Sequence, residues 1–301
     1  MLDRLEGRFF RTFIAVLEEG GIGRAAEKLG YVQSTVTTQI RLLEESVGQR
    51  LFDRLPRGVE PTEAGRRLAS YAYRFLELGT ELEAGMTDER EPRGTVRLRA
   101  LESFAAAFLW EPLQAFMARY GQVEVQLDCG FQSDTIEALR ERRIELGLIP
   151  GDPGLADIEF LPIADDELIW VAAPAQAARL AADGSAAVGS LRLIGFGPRC
   201  AYTAEAEASL ARMGAAVSMR AEFASLEMIV QAVRSGWGLA FIPRSSVRPE
   251  LAAGELAVCA GLGGKSFSHG LVRLKRKALS LPAELLHAHI AGCGMNRLMI
   301  E

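Results

Sequence analysis

Cysteine and histidine are scarce in this chain, which has four cysteines and three histidines among 301 residues. The cysteines lie far apart and form no CxxC pair, and one His289-Cys293 spacing of i, i+4 has no third ligand beside it. Zinc sites and disulfide frameworks need grouped ligands or paired thiols. The sequence therefore predicts no metal ion and no other cofactor, and it favours reduced thiols in a cytoplasmic compartment.

Long apolar runs are also missing, although 49% of the residues are hydrophobic. No segment approaches the ~18 to 20 uninterrupted apolar residues of a membrane span. The N-terminus, MLDRLEGRFF, lacks the basic region, apolar core and cleavage site of a signal peptide. We expect no membrane partner, a cytoplasmic location, and two or three compact units with sizeable cores.

Among the features that are present, residues 20–54 predict two short amphipathic helices separated by a tight turn. Ala25, Ala26 and Leu29 give the first helix a small apolar face. Gly30 supplies the positive φ that a sharp helix end needs. The chain is therefore expected to turn at Gly30 and to begin a second helix shortly afterwards.

The second helix is predicted from apolar residues at helical spacing, namely Val32, Val36, Ile40 and Leu43. The opposite face is largely uncharged and carries Gln33, Ser34, Thr37, Thr38 and Arg41, while Arg54 and Arg57 follow in a basic loop. Hydroxyls, amides and guanidinium groups hydrogen-bond base edges and phosphates. These seven polar residues are therefore predicted to bind DNA, with the two loop arginines on phosphate.

An ordinary helical hairpin with a solvated polar face is the alternative interpretation of this segment. The charge distribution favours DNA binding, because residues 20–74 have nine basic and six acidic residues, whereas the whole chain has a net charge of −5. A small basic module attached to an acidic body suits a regulator better than a protein that coats DNA.

An ordered series of residues extends this pattern. It comprises VQSTVTTQI over residues 32–40, then Leu43-Glu44, Gly48, Leu51-Phe52, Arg54 and Thr62-Glu63-Ala64-Gly65. The series resembles the winged helix-turn-helix of the LysR-type transcriptional regulators. The resemblance implies a DNA-binding domain over residues 1–61, double-stranded promoter DNA as a partner, and RNA polymerase as a candidate further partner. One departure is Gly23, where the family usually has a Ser or Thr helix cap, and glycine is an acceptable cap.

A long linker helix is predicted over residues 62–90, because apolar residues recur there with heptad spacing. The predicted dimerisation seam contains Leu68, Ala72, Phe75 and Leu82, together with Gly79 and Met86, and it is flanked by Tyr71 and Leu78. The resemblance implies that this helix pairs two subunits antiparallel within a homo-oligomer, a dimer of dimers. The alternative is that the stripe packs on its own domain.

Beyond Gly94 the pattern alternates between strands and helices, which is typical of a mainly parallel α/β sheet. The predicted strands cover residues 95–101, 123–129, 145–149, 168–173, 191–196, 217–223, 239–242 and 269–274, and the predicted helices 104–120, 133–142, 204–213, 226–234 and 282–292. Two such cycles resemble the effector-binding domain of the same family. The implied fold class is α/β, with an all-α-rich N-terminal winged helix-turn-helix, a long linker helix and a two-lobed effector domain like a periplasmic solute-binding protein. That domain would span residues 94–301, with lobe I at about 94–164 and 268–301 and lobe II at about 165–267.

Open α/β sheets bind ligands beyond the carboxyl ends of their strands. The candidate effector-binding residues follow predicted strands, and they are Ser103, Phe104, Phe131, Phe196, Arg199, Cys200 and Ser225. Hydroxyls beside helix N-termini bind anions, and a guanidinium pairs with carboxylate or phosphate. The predicted effector is therefore a small, anionic metabolite bound between the lobes.

Each of these candidates also has an alternative role. The serines could be plain helix caps, the phenylalanines core residues, and Arg199 a solvated loop charge. Cys200 beside Arg199 invites a redox hypothesis, but the next cysteine is only at position 259. A two-lobed enzyme or solute-binding protein with a helical appendage remains the alternative function. It leaves residues 1–90 unexplained, and no catalytic triad order, P-loop or GxGxxG motif is evident, so the chain is not expected to be an enzyme.

Overall fold

The computed structural model describes residues 5–56, 58–86, 92–183, 192–215 and 219–293. Arg57 lies outside the described residues, as do residues 191 and 217, the predicted first residues of two strands. Contacts divide the chain into two compact units, and the main boundary falls between Glu91 and Pro92. In the sequence, this boundary falls in a charged stretch with Pro and Gly, DEREPRG over residues 88–94.

The described part of the first unit consists of helices and a two-stranded hairpin. They are α1 (Gly7–Glu19), α2 (Ile22–Leu29), α3 (Gln33–Val47), β1 (Phe52–Leu55), β2 (Gly58–Pro61) and α4 (Glu63–Met86). Helix α1 is absent from the prediction, yet it contributes Phe9, Phe10, Phe13 and Ile14 to a core shared with α2, α3 and α4. The helix-turn-helix followed by a wing is present as predicted.

The helix ends show how the turn forms. Gly30 has φ 67°, and its amide N–H donates to the carbonyls of Ala26 and Glu27, as the predicted helix end requires. The expected cap at Gly23 is wrong, because α2 begins at Ile22 and its N-cap is Gly21. Val32 is exposed rather than buried, since it is the extended N-cap of α3 and precedes the helical spacing.

Two side chains and one glycine join the hairpin to its neighbouring helices. The Glu44 carboxylate accepts a hydrogen bond from the Leu51 amide at 2.7 Å. The Thr62 hydroxyl donates to the Arg50 carbonyl at 2.7 Å and accepts from the Gly65 amide at 3.0 Å, which caps α4. A Cβ at position 65 would collide with the Leu51 carbonyl oxygen. These contacts give a physical reason for the Leu-Glu and Thr-Glu-Ala-Gly motifs.

The second unit is an α/β structure built on one sheet. Its elements are β3 (Gly94–Ala100), α5 (Glu102–Phe104), α6 (Trp110–Arg119), β4 (Val123–Cys129), α7 (Gln132–Arg140), β5 (Leu146–Pro150), β6 (Ile158–Ala172), α8 (Pro174–Asp183), β7 (Arg192–Gly195), α9 (Ala201–Arg212), β8 (Met219–Glu222), α10 (Leu226–Arg234), β9 (Leu239–Pro243), α11 (Arg248–Ala252), β10 (Ala257–Val258), β11 (Gly264–Leu274) and α12 (Leu281–Gly292). Short 3-10 turns cover Arg244–Val247 and Ala260–Leu262.

The strand order is β4-β3-β5-β11-β6-β9-β7-β8, with β10 beside β6. Strand β3 pairs parallel with β4 and β5, and β7 pairs parallel with β8 and β9. We call the part built on β3, β4 and β5 lobe I and the part built on β7, β8 and β9 lobe II. Antiparallel β6 and β11 run between them, and the register shifts between His269 and Gly270.

Three features differ from the predicted elements. Strands β6 and β11 are much longer than predicted, because each pairs with the other along almost its whole length. Helices α8 and α11 and strand β10 are absent from the prediction. The predicted helix over 104–120 begins at Glu102 and contains a π-helical segment, Ala105–Leu109.

Replacing Gly65 by alanine should destabilise the first unit by about 1–3 kcal/mol, because the new methyl group meets backbone rather than a flexible side chain. Urea denaturation followed by circular dichroism measures the change. Gly79→Ala is the matched control on the same helix, since a Cβ there would meet no neighbouring group among the described residues, and it should stabilise the helix by about 0.5–1 kcal/mol. Equal stability of the two variants would contradict the close approach at Gly65.

Candidate functional site

Helix α3 separates an apolar face from a polar face. Val36, Ile40 and Leu43 are buried. The five predicted DNA-contacting residues of this helix are all exposed, and they are Gln33, Ser34, Thr37, Thr38 and Arg41. The structure therefore places them together on one surface that can donate and accept hydrogen bonds.

Two of these side chains have partners within the helix. The Thr37 hydroxyl donates to the Gln33 carbonyl at 2.9 Å. Arg41 pairs with Glu45 at 3.2 Å, an exposed i, i+4 pair worth about 0.3–0.5 kcal/mol. So weak a pair is readily exchanged for a phosphate.

A buried amide, which the sequence analysis did not single out, fixes α3 on α1. The Thr12 hydroxyl donates to Gln39 Oε1 at 2.5 Å, and both side chains are buried. A glutamine inside an otherwise apolar face was its only signal in the sequence.

The wing presents Arg54, which is exposed on β1. The wing is tied to the helices because the Val59 amide donates to the Gly20 carbonyl at 3.1 Å.

The basic side chains of α2, Arg24 and Lys28, bind acceptors near the end of α1. Arg24 Nε donates to the Glu19 carbonyl at 2.7 Å, and Lys28 pairs with Glu18 and Glu19 at 3.0 and 2.9 Å. Hydrogen bonding by Lys28 lowers the pKa of Glu19, which favours the ionised form of that carboxyl.

The apolar stripe of α4 differs in phase from the predicted seam. Ala72 is fully buried in the core of its own unit, and Leu68 packs on the same core. Including Ala72 in a seam between subunits is therefore a mistake. The exposed apolar residues of this helix are Tyr71, Phe75, Leu78 and Leu82, spaced four, three and four apart.

Phe75 belongs partly to both faces of α4. Its ring lies 4.9 Å from that of Phe10, and it remains 45% exposed, against 63% for Leu78 and 64% for Leu82. The spacing of the exposed set still fits a heptad seam. We call Tyr71, Phe75, Leu78 and Leu82 the α4 stripe.

In the second unit, candidate effector residues near the carboxyl ends of the parallel strands meet between the lobes, where Phe131 of lobe I contacts Phe196 and Arg199 of lobe II. We call this region the crevice. Ser103 is buried near the start of α5 and is not its cap, because the N-cap is Leu101. Ser225 is the N-cap residue of α10, but its side chain makes no capping hydrogen bond. Neither serine is thus a plain capping hydroxyl.

Tyr202 is a crevice residue that sequence reasoning missed. It lies at the start of α9 in lobe II, and burial raises its pKa well above the usual value, while the Ser103 side chain of lobe I acts in the opposite direction. Its hydroxyl makes no well-formed hydrogen bond to any described residue. A neutral phenol beside a serine hydroxyl offers a ligand both a donor and an acceptor.

His269 lies at the register shift of β11, between aromatic rings. Its ring is 4.2 Å from Phe104 and 4.7 Å from Phe267. Burial lowers the pKa of His269 to about 3, so the imidazole is neutral. Nearby Asp166, on β6, accepts from the Ser245 hydroxyl at 2.5 Å, and burial raises its pKa. Local sequence predicts only a strand at His269, because nothing local shows that its ring packs between Phe104 and Phe267.

Arg199 is not an isolated loop charge. Its Nη1 lies 3.1 Å from Asp134 Oδ1, and its guanidinium carbon lies 5.4 Å from the centre of the Phe131 ring. Phe131 in turn meets Phe196 edge-on, with 6.2 Å between ring centres. Phe196 also lines a shallow depression between β7, β8 and α9, which Glu207, Arg220 and Glu222 border.

Cys200 is poorly suited to redox chemistry. It is buried, and burial raises the pKa of its thiol, which disfavours the reactive thiolate. Cys259 is also buried, and its pKa rises to about 11. Within the described ranges, no group of three metal-ligating side chains occurs, and no helix there is long and apolar enough to cross a membrane.

Comparison with known proteins identifies the family. Residues 8–66 match the family described as "Bacterial regulatory helix-turn-helix protein, lysR family", and residues 89–292 match the "LysR substrate binding domain". The chain belongs to the LysR family of transcriptional regulators. Both units are covered, including the N-terminal residues that the enzyme alternative leaves unexplained.

Relatives and solved structures agree with this assignment. The regulator YofA of Bacillus subtilis is 30% identical over 81% of this chain and 83% of its own. The regulator AbaB of Streptomyces antibioticus is 31% identical over 78% of this chain and 80% of its own. These relatives are transcriptional regulators, not enzymes.

Three solved structures show the same fold. ArgP from Mycobacterium tuberculosis has a TM-score of 0.69 at 20% identity, covering 96% of this chain and 98% of its own. CbnR complexed with its target DNA has a TM-score of 0.62 at 22% identity, covering 95% of this chain and 99% of its own. LysG from Corynebacterium glutamicum with bound effector Arg has a TM-score of 0.59 at 19% identity, covering 95% of this chain and 98% of its own.

Thiol labelling at pH 8 tests the burial of Cys200. We expect Cys129 and Cys293, which are exposed, to react with a disulfide reagent first. Cys200 and Cys259 should react at a rate at least roughly tenfold lower, because the reagent reaches them only when the fold opens. Mass spectrometry of the labelled peptides assigns each rate. A fast-reacting Cys200 would contradict its inert, buried role.

Proposed function

We propose that this LysR-type regulator binds double-stranded promoter DNA through α3 and the wing. The observation that carries the proposal is the exposed, hydrogen-bonding face of α3 together with the exposed Arg54 of the wing. Gln33, Thr37 and Thr38 would meet base edges, while Ser34, Arg41, Arg54 and Arg57 would hold phosphates. The fold shared with CbnR, whose structure contains target DNA, supports this role. RNA polymerase is a further proposed partner on the promoter, and the cytoplasm is the proposed location.

The same proposal gives the α4 stripe a second copy of the chain as its partner. An exposed heptad-spaced apolar stripe loses its contact with water when two helices pair. Pairing through this stripe would produce a dimer, and a homo-oligomer built as a dimer of dimers would place several α3 helices on one operator. This arrangement suits an imperfect palindrome.

In the second unit, we propose that the crevice between the lobes binds a small, anionic metabolite. Ser103 and Tyr202 supply buried hydroxyls, and Arg199 supplies a positive charge at the crevice. Phe104, Phe131 and Phe196 would supply apolar walls, and the proposed set also includes Cys200 and Ser225, the N-cap residues of α9 and α10 in lobe II. LysG, which shares the fold, contains a bound amino acid effector. The switch then requires a difference in effector affinity between two arrangements of the lobes.

DNA binding is tested by two substitutions and a control. Gln33→Ala should weaken binding by about 1–3 kcal/mol and relax the preference for the promoter site, because a base contact is lost. Arg54→Ala should weaken binding to all DNA sequences alike, because a phosphate contact is lost. It should also reduce the slope of log K against log salt concentration by about 1. Gel shifts with promoter and unrelated DNA at several salt concentrations separate the two effects. Lys28→Gln, on the paired α2 cluster, should leave both unchanged, and unaltered binding in all three variants would rule out this interface.

The α4 stripe is tested by Leu78→Glu and Leu82→Glu, since neither side chain is buried within its own unit. Each substitution would place an unpaired charge in an apolar interface, so the oligomer should dissociate. Light scattering after size exclusion measures the mass. Arg74→Gln, exposed on the same helix, should preserve the parent assembly. An unchanged mass for both glutamate variants would show that the stripe does not join subunits.

A further inference from the structure

One ion pair spans the crevice between the two lobes. Arg199 follows β7 in lobe II, and Asp134 lies in the first turn of α7 in lobe I. Their side chains approach to 3.1 Å, and the guanidinium also lies over the ring of Phe131, which precedes α7. Two groups of lobe I thus hold one cation of lobe II.

The carboxylate is the more firmly placed partner of this pair. The Asp134 side chain is 29% exposed, whereas that of Arg199 is 67% exposed. Arg99, whose side chain is only 15% exposed, donates from Nη1 to the Asp134 carbonyl at 3.3 Å and from Nε to Asp128 at 3.0 Å. The N-terminus of α7 adds a favourable dipole for a negative charge. Asp134 is thus fixed on lobe I, and Arg199 reaches across to it.

We propose that Asp134 is an internal competitor for the anion site of the crevice. Its carboxylate occupies the guanidinium that the anionic group of an effector would take, and it ties the lobes together in the absence of that effector. This inference rests on the proposed function, in which Arg199 binds the effector's negative group. Asp134 then decides which ligands act, because a neutral ligand leaves the pair intact and a carboxylate, sulfate or phosphate replaces it.

The strength of the pair suits such an exchange. Exposed ion pairs of this kind change an equilibrium by about two- to fivefold. A pair of that strength holds the lobes without locking them, and a ligand with a bidentate anion can replace the single contact between Nη1 and Oδ1. The same guanidinium would thus serve the closed, unliganded protein and the liganded one in turn.

Hydrogen exchange of the full-length chain without any ligand tests the tie between the lobes. Asp134→Asn and Arg199→Gln should each speed exchange about two- to fivefold in residues 101–104 and 197–202, which flank the crevice. The combined variant should go no further, because both substitutions remove one interaction. Glu137→Gln, an exposed acid one turn along α7, is the matched control and should change nothing. Additive effects, or none, would overturn the tie.

Sulfate, compared with sodium chloride at equal ionic strength, is the probe for competition. Half-maximal slowing of exchange in residues 197–202 should need about two- to fivefold less sulfate in Asp134→Asn than in the unchanged chain, and Arg199→Gln should show no slowing. Equal sulfate dependence in Asp134→Asn and the unchanged chain, with loss in Arg199→Gln, would overturn the competitor and leave the anion site standing. No slowing in any variant would overturn the anion site of the proposed function together with the competitor.

Discussion

The antiparallel pairing of β6 with β11 is the constraint on which the effector-binding unit depends. It runs from Gly264 opposite Ile169 to Leu274 opposite Ile158, and the remaining strands attach on either side through β5 and β9. Because both strands belong to both lobes, the lobes cannot separate without breaking this ladder. A register shift of this kind bends the strands locally, and it falls between His269 and Gly270. Phe104 packs on His269 and Tyr202 packs on Phe267, so residues of the proposed effector site from both lobes lie beside this shift.

Local pattern predicted those parts of this unit whose conformation is decided locally. Strand β4 and helix α10 have the predicted bounds, because a short alternating or periodic segment between turn residues has few alternatives. Strand β6 was predicted only from Leu168 onward, since Pro162 and the acidic run that follows it disfavour a strand. Its conformation comes from pairing with β11, which lies about a hundred residues away.

The candidate sites show the same division. The face of α3 follows from helical spacing alone, whereas His269 meets Asp166, and Tyr202 and His269 meet Phe267, only through the pairing of distant strands. The predicted seam mixes two faces of α4 for a related reason, since Phe75 and Leu82 are exposed but Ala72 is buried. Helix α4 has an apolar face toward α1 and another toward solvent, and spacing alone does not say which is which. Only the packing of α1 assigns Ala72 to the inside and Leu78 to the outside.

The π-helical segment Ala105–Leu109 sets the orientation of the turn before it, Glu102–Phe104, around the axis of the helix that follows. Buried pairs occur at 103–104, 108–109 and 112–113, so the first interval is five residues and the next is four. A π turn places residues five apart on one side, which a regular α-helix does not. Shortening the alanine run by one residue would restore regular winding and rotate Ser103 by about 100° around the helix axis, away from the crevice. The number of residues in this alanine run is thus as constrained as their identity. Deletion of a single alanine codon would preserve the helix but move Ser103 out of the proposed effector site.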